Sequence, residues 1–113
     1  MAVYCFTQLI QPGMREEAKA IFEEIRETRR SEYEASRRRL GIREEKVRFQ
    51  GLPQGDMAVV YWEGDDPRAA LQEFASSDDP FDEWLKERGR EVYHFEPRQT
   101  LEADEEVFEA EVG

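Results

Sequence analysis

Val3-Tyr4-Cys5-Phe6-Thr7-Gln8-Leu9-Ile10, then Pro12-Gly13, then Met14 through Leu40: this run decides the fold. Its first part is rich in β-branched and aromatic residues, which suit a pleated surface. Successive side chains of a strand point to opposite faces. One face would carry Val3, Cys5, Thr7 and Leu9, the other Tyr4, Phe6, Gln8 and Ile10. Both are mostly apolar, which predicts a strand covered on both sides and central in its sheet. Pro12 and Gly13 end it. From Met14 the period changes. Met14, Ala18, Ile21, Phe22 and Ile25 recur at helical spacing, and Glu16 and Glu17 sit in the first turn, where the helix dipole favours negative charge. The stripe then thins to Tyr33, Ala35 and Leu40, and Gly41 supplies a C-terminal cap with Ile42 as its apolar contact. A helix from Met14 to Leu40 would run about 40 Å, whereas a short strand covers about 20 Å. The helix therefore overhangs a small sheet or kinks near Thr28–Ser31.

Working outward, Glu45-Lys46-Val47-Arg48-Phe49-Gln50 alternates as a half-exposed strand does. Residues 51–56 form a turn region, and Met57-Ala58-Val59-Val60-Tyr61-Trp62 reads as a second central strand, hairpinned to the one before. Asp66-Pro67 and Asp79-Pro80 are two helix starts, with Asp as N-cap and Pro at the first helical position. The first of these helices carries Ala70, Leu71 and Phe74; the second carries Phe81, Trp84 and Leu85 and ends at Gly89. Residues 91–95 read as a last strand, closed by Pro97.

The order β-α-β-β-α(α)-β predicts an α+β fold of ferredoxin-like arrangement. It has a four-stranded antiparallel sheet, a long first helix and a split second helix. Strands one and three are then central. Helices cover one face. The other face is also apolar and has no cover within one chain, so a homodimer packed sheet to sheet is expected.

The 113 residues carry 27 acids against 16 bases, a net charge of −11. Residues 101–113 hold six of the acids and no base, so 1–100 reads as the folded domain and 101–113 as an acidic tail. Phe108 within the tail suggests a docking point near the basic end of the first helix. An acidic chain does not suit nucleic acid, whose phosphates need bases. No apolar run reaches the length of a membrane span. A strand starting at residue 3 leaves no room for a signal peptide, and a lone Cys5 forms no internal disulfide; a cytoplasmic protein is expected.

The strand running into Pro12-Gly13, the helix with Glu16 and Glu17, and Leu40-Gly41-Ile42 leading to Glu45 and Phe49 carry a family resemblance. The hairpin through Tyr61 and the Phe81–Trp84 segment add to it. Residues 1–97 resemble the dimeric α+β-barrel superfamily of small bacterial proteins, which includes antibiotic-biosynthesis monooxygenases and stress-responsive A/B-barrel proteins. The resemblance is nearest to an uncharacterised branch with a long first helix. It implies a dimer and a pocket between sheet and helices, and it fixes no substrate.

Several residues are candidates for that pocket. His94 is the only histidine. The resemblance makes it a catalytic acid or base, while a hydrogen-bonded strand histidine is the plainer reading. Tyr4, Tyr61, Trp62 and Trp84 would line an apolar site or simply fill core and interface. Glu45 is either a pocket carboxylate with a raised pKa or an edge-strand charge that discourages aggregation. Asp65-Asp66 and Asp78-Asp79 are explained as helix caps and Arg37-Arg38-Arg39 as bases at a helix C-terminus. Cys5 reads as a buried thiol. The chain has no glycine-rich phosphate loop, paired-cysteine metal spacing or nucleophile elbow. The expected function is binding of a small apolar or aromatic molecule without cofactor or metal. The alternative is a cofactor-independent monooxygenase- or cyclase-like enzyme using His94.

Overall fold

The computed structural model describes residues 1–94 and 105–113. Its elements run β1 (Ala2–Ile10), α1 (Arg15–Thr28), α2 (Arg30–Leu40), β2 (Ile42–Leu52), β3 (Gly55–Gly64), α3 (Pro67–Ser76), α4 (Pro80–Val92) and β4 (Tyr93–His94). The protein is α+β, with a four-stranded antiparallel sheet in the order β2-β3-β1-β4. The two strands apolar on both faces, β1 and β3, are the central ones.

Alternation decides which face is covered. Tyr4, Phe6, Gln8 and Ile10 of β1 are buried, as are Ala58, Val60 and Trp62 of β3, and all of them lie under the helices. Val3, Leu9 and Cys5 look out from the opposite face, with Val3 50 % and Leu9 45 % exposed. Cys5 is thus not the buried thiol expected: two-sided apolarity does not say which face the helices take.

The expected long helix breaks at Arg29, within the stretch where a kink was expected. Thr28 turns its hydroxyl back onto the Glu24 carbonyl (3.1 Å), which competes with the helical ladder. The Arg29 amide is shared between the carbonyls of Glu24 and Ile25, both at 3.2 Å. Arg29 itself ties both segments, pairing with Glu24 and Glu32 and lying 4.1 Å from the Trp84 ring centroid. The break turns α2 onto α3, α4 and β2, while α1 packs against α4.

Gly41 caps α2 in the left-handed conformation (φ 74°). Gly64 allows the end of β3 to pass this cap, for a Cβ there would lie 2.1 Å from the Gly41 carbonyl oxygen. Just beyond the cap, the β2–β3 register slips between Ile42 and Glu44. This bulge at Arg43 gives Glu45, Val47 and Phe49 the helix-facing side. Asp66 and Asp79 are N-caps, accepting hydrogen bonds from Ala69 and from Phe81 and Asp82 respectively. Gly89 does not end α4, which continues to Val92, so the last strand begins at Tyr93 and not at Glu91. Phe95, Pro97 and the expected domain boundary at Thr100 lie outside the described residues. Val107, Phe108 and Val112 are exposed and in no strand, so Phe108 is not docked on its own chain. Among the described residues no helix is long and apolar enough to cross a membrane.

Candidate functional site

A cleft of about 620 Å³ lies between the sheet and the helices. Cross-strand pairing sets its floor, because directly opposed residues of antiparallel strands share a face. Tyr4, Trp62 and Glu45 form one row across β1, β3 and β2; Gln8, Ala58 and Phe49 form another. Ala58 between them is fully buried in the core, and the cleft is lined there by Gln8, Phe49 and Val60. Phe22 of α1 meets Phe49 edge to face, with centroids 6.3 Å apart.

One end of the cleft is a closed polar network. The Tyr33 hydroxyl donates to Glu45 Oε1 at 2.7 Å, Arg37 Nε donates to the same oxygen at 2.9 Å, and Trp62 Nε1 donates to Oε2 at 2.9 Å. Arg37 Nη2 adds a longer bond to Oε2, 3.4 Å. Tyr33 and Arg37 are four residues apart on α2, hence on one helix face. The guanidinium sits among rings, with its carbon 4.9 Å from the centroid of Tyr33, 5.3 Å from Trp62 and 5.5 Å from Phe74. Its Nη1 donates to Ser36 Oγ, and the Ser36 hydroxyl donates to Asp82 Oδ1 at 2.6 Å. Asp82 Oδ2 accepts from Ser77 and Arg39.

Both members of the Arg37–Glu45 pair are charged. Burial would push the Glu45 carboxyl up. The Arg37 charge and hydrogen bonds from Arg37, Trp62 and Tyr33 outweigh it and hold the group below the usual carboxylate range. This is opposite to the raised value expected for a pocket carboxylate, and the cause is Arg37. Burial, then the Glu45 charge, raises the Tyr33 phenol above its ordinary value. Asp82 is lowered: desolvation opposes its ionisation, and the bonds from Ser36, Ser77 and Arg39 prevail.

The other end is open. Gln8 is 9 % exposed and Tyr93 8 %, and both line the cleft. Neither side chain makes a hydrogen bond to another described residue. Among the described residues no side-chain N or O atom is sealed from solvent without a partner. Tyr93 is opposite Ile10, which puts it diagonal to Gln8 on the same face. Burial, with the Glu45 charge second, raises the Tyr93 phenol, so it is a neutral donor at physiological pH.

Of the residues singled out from sequence, Glu45 and Trp62 meet in the cleft. Tyr4 is beside them in the core, 5.5 Å from Phe6 by ring centroids, and does not line the cleft. Trp84 packs on Phe81 and under Arg29 and does not line it either. Tyr61 is opposite Cys5 on the outer face and donates to Glu63 at 2.8 Å. His94 is exposed and opposite Leu9, so it too belongs to the outer face, against the expectation that it joins the pocket. Sequence reading passed over Gln8, Tyr33, Arg37 as a buried ion, and Tyr93. Gln8 had left a signal, as the lone amide on the Tyr4-Phe6-Gln8-Ile10 face. Among the described residues no cluster of three His, Cys, Asp or Glu side chains could hold a metal.

Compared with family models, curated proteins and solved structures, the chain matches none.

Proposed function

We propose that the protein binds a small apolar or aromatic molecule in the cleft between sheet and helices, without chemistry of its own. The observation that carries this is the division of the cleft itself. Its Arg37–Glu45 pair is consumed internally, while Phe49 and Val60 line it beside Gln8 and Tyr93, whose side chains have no partner among the described residues. A titratable group free to move protons would be needed for the monooxygenase- or cyclase-like alternative, and His94, proposed for that part, faces away. N-phenyl-1-naphthylamine, an uncharged fluorophore that brightens in apolar sites, tests the reading. Saturable binding that is lost when Val47→Trp fills the cleft is expected. Absence of saturable binding, or binding indifferent to Val47→Trp in a variant that still melts cooperatively, overturns it.

The ferredoxin-like arrangement and a dimeric α+β barrel belong to the same proposal. The strand order and the single helix-covered face support the former. Val3, Leu9, Met57, Val59 and Tyr61 on the uncovered face support a second copy packed against it. Sedimentation equilibrium of the protein and of Val3→Asp/Leu9→Asp tests this: a dimer that the double substitution dissociates is expected, and a monomeric parent overturns it. A chain with a single cysteine, Cys5, is compatible with the reducing cytoplasm.

A further inference from the structure

Besides the buried Arg37 and Lys86, which are held by protein partners, four basic side chains line the cleft: Arg15, Lys19 and Arg26 of α1 and Arg30 of α2. Glu23 is the lone acid among them, since Glu45 is neutralised by Arg37. Arg15 is engaged with Asp56 at 3.4 Å and Arg30 with Glu34 at 3.6 Å. Lys19 and Arg26 are exposed and have no ion pair among the described residues. A chain with a net charge of −11 thus carries exposed bases at the edge of this cleft. Field lines from such a rim focus at the concavity and draw anions towards it.

At the end of the cleft away from the Arg37–Glu45 pair, Gln8 and Tyr93 are neutral. The Gln8 amide offers two donors and an acceptor, and the Tyr93 hydroxyl offers a donor and an acceptor. Buried polar groups normally find partners, so two diagonal neighbours that line the cleft and have no side-chain partner among the described residues fit a partner supplied by a ligand. The site then has three zones along one direction: charge at the mouth, ring-sized apolar space, and neutral hydrogen-bonding groups on the floor.

Resting on the reading of the cleft as a small-molecule site, we infer that its ligand is an amphipathic organic acid. An apolar or aromatic body lies over Val60 and Phe49 and carries a hydroxyl, carbonyl or amine that meets Gln8 and Tyr93. An anionic group, carboxylate or sulfonate, stays at the mouth near Lys19 and Arg26. A charge at the rim keeps most of its hydration and is steered there, whereas a charge on the floor would have to be desolvated beside the ionised Glu45.

Two fluorophores with one aromatic body separate the claims. N-phenyl-1-naphthylamine is neutral, and 8-anilinonaphthalene-1-sulfonate adds a sulfonate. The anionic probe is expected to bind about tenfold tighter at low ionic strength, a gap that shrinks as salt screens the rim. Lys19→Gln/Arg26→Gln, at exposed positions where the fold tolerates change, should remove most of that gap and leave the neutral probe unaffected. Gln8→Leu should weaken both probes by about fivefold, the scale of one hydrogen bond to their shared amine. Equal binding of the two probes, or a gap that survives Lys19→Gln/Arg26→Gln, overturns the inference while the cleft remains a binding site. Unchanged affinity in Gln8→Leu removes the floor contact. If neither probe binds, the reading of the cleft as a ligand site fails first.

Discussion

At the β2 end of the cleft, Glu45 takes hydrogen bonds from Tyr33, Arg37 and Trp62, and the network runs on through Ser36 to Asp82. At the β4 end, Gln8 and Tyr93 are as deeply placed and make no side-chain bonds to other described residues. Both ends stand on the same sheet and under the same helices. The difference is in what each polar group is offered. Glu45 arises just after a bulge, opposite a helix face that delivers Tyr33 and Arg37 together. Gln8 lines the open part of the cleft with Phe49 and Val60. A buried polar group with every lone pair spent reports on the fold; one with capacity left reports on a ligand. The contrast predicts that substitutions at the first end cost stability, and that those at the second cost binding.

The largest effect is expected from Arg37→Met. It removes a charge that is buried against Glu45 and leaves the carboxylate unpaired, which costs about 3–5 kcal/mol. Chemical denaturation measures it. A loss below about 1 kcal/mol would mean that the pair behaves like an exposed one. The acid limb gives the sign independently. Glu45 ionises below the ordinary carboxylate value of 4.5 in the fold. Its contribution is therefore fully present above that pH and lost as pH falls through the lower, folded value. Glu45→Gln should start less stable and then lose less on acidification than the parent; parallel acid limbs would contradict the role given to Glu45.

Next in size is Gly64→Ala. The added Cβ would meet the backbone oxygen of Gly41 at 2.1 Å, and neither partner is a flexible side chain. The cap that precedes the bulge must shift, at a cost of about 2–3 kcal/mol. Because the bulge aims Glu45, a structure of the variant should also show the Glu45–Arg37 bonds lengthened. Retention of both stability and geometry would show that the register of β2 is set elsewhere.

Tyr33→Phe should cost less, about 1 kcal/mol, since Glu45 keeps Arg37 and Trp62. Its alkaline limb is the sharper test. The Tyr33 phenol titrates above its ordinary value of 10.0 in the fold. It thus adds stability that is complete below that pH and fades as pH rises through the higher folded value. The phenylalanine variant should lack this component, and an unchanged alkaline limb would place the sensitivity in another group, Tyr93 being the first to examine.

Much of the architecture was legible from local signals. Apolar, β-branched and aromatic runs in β1 and β3, Asp-Pro at both later helices, Gly41 after Leu40 and the weak stretch at Thr28–Ser31 each carry their own chemistry. The site was legible only in part. Glu45 and Trp62 are polar or aromatic residues in strands and stand out, but Tyr61 stands out equally and lies on the other face. Which face is inside depends on where the helices pack, and an apolar strand does not encode it. The bulge at Arg43 is likewise invisible to alternation, since Ile42 and Glu45 both face inward across an odd interval. Arg37 looked like one of three helix-end bases; its burial follows from the break at Arg29, which turns α2 over β2. His94 follows Leu9 outward through pairing that sequence does not print.

The smallest expected change in stability comes from Gln8→Leu. In the parent, the amide lines the cleft and has no side-chain partner among the described residues, so its removal orphans no described donor or acceptor. Leucine is close in size and adds apolar contact with Ala58 and the Phe49 side of the floor. The expected outcome is therefore unchanged stability or a gain of about 0.5–1 kcal/mol, read by denaturation without ligand. Arg37→Met and Gln8→Leu both replace a polar side chain on the cleft wall by an apolar one, yet the two should move stability in opposite directions. A loss of about 2 kcal/mol or more in Gln8→Leu would show that Gln8 was holding the fold together, as Glu45 does. The distinction between a spent end and an open end would then collapse.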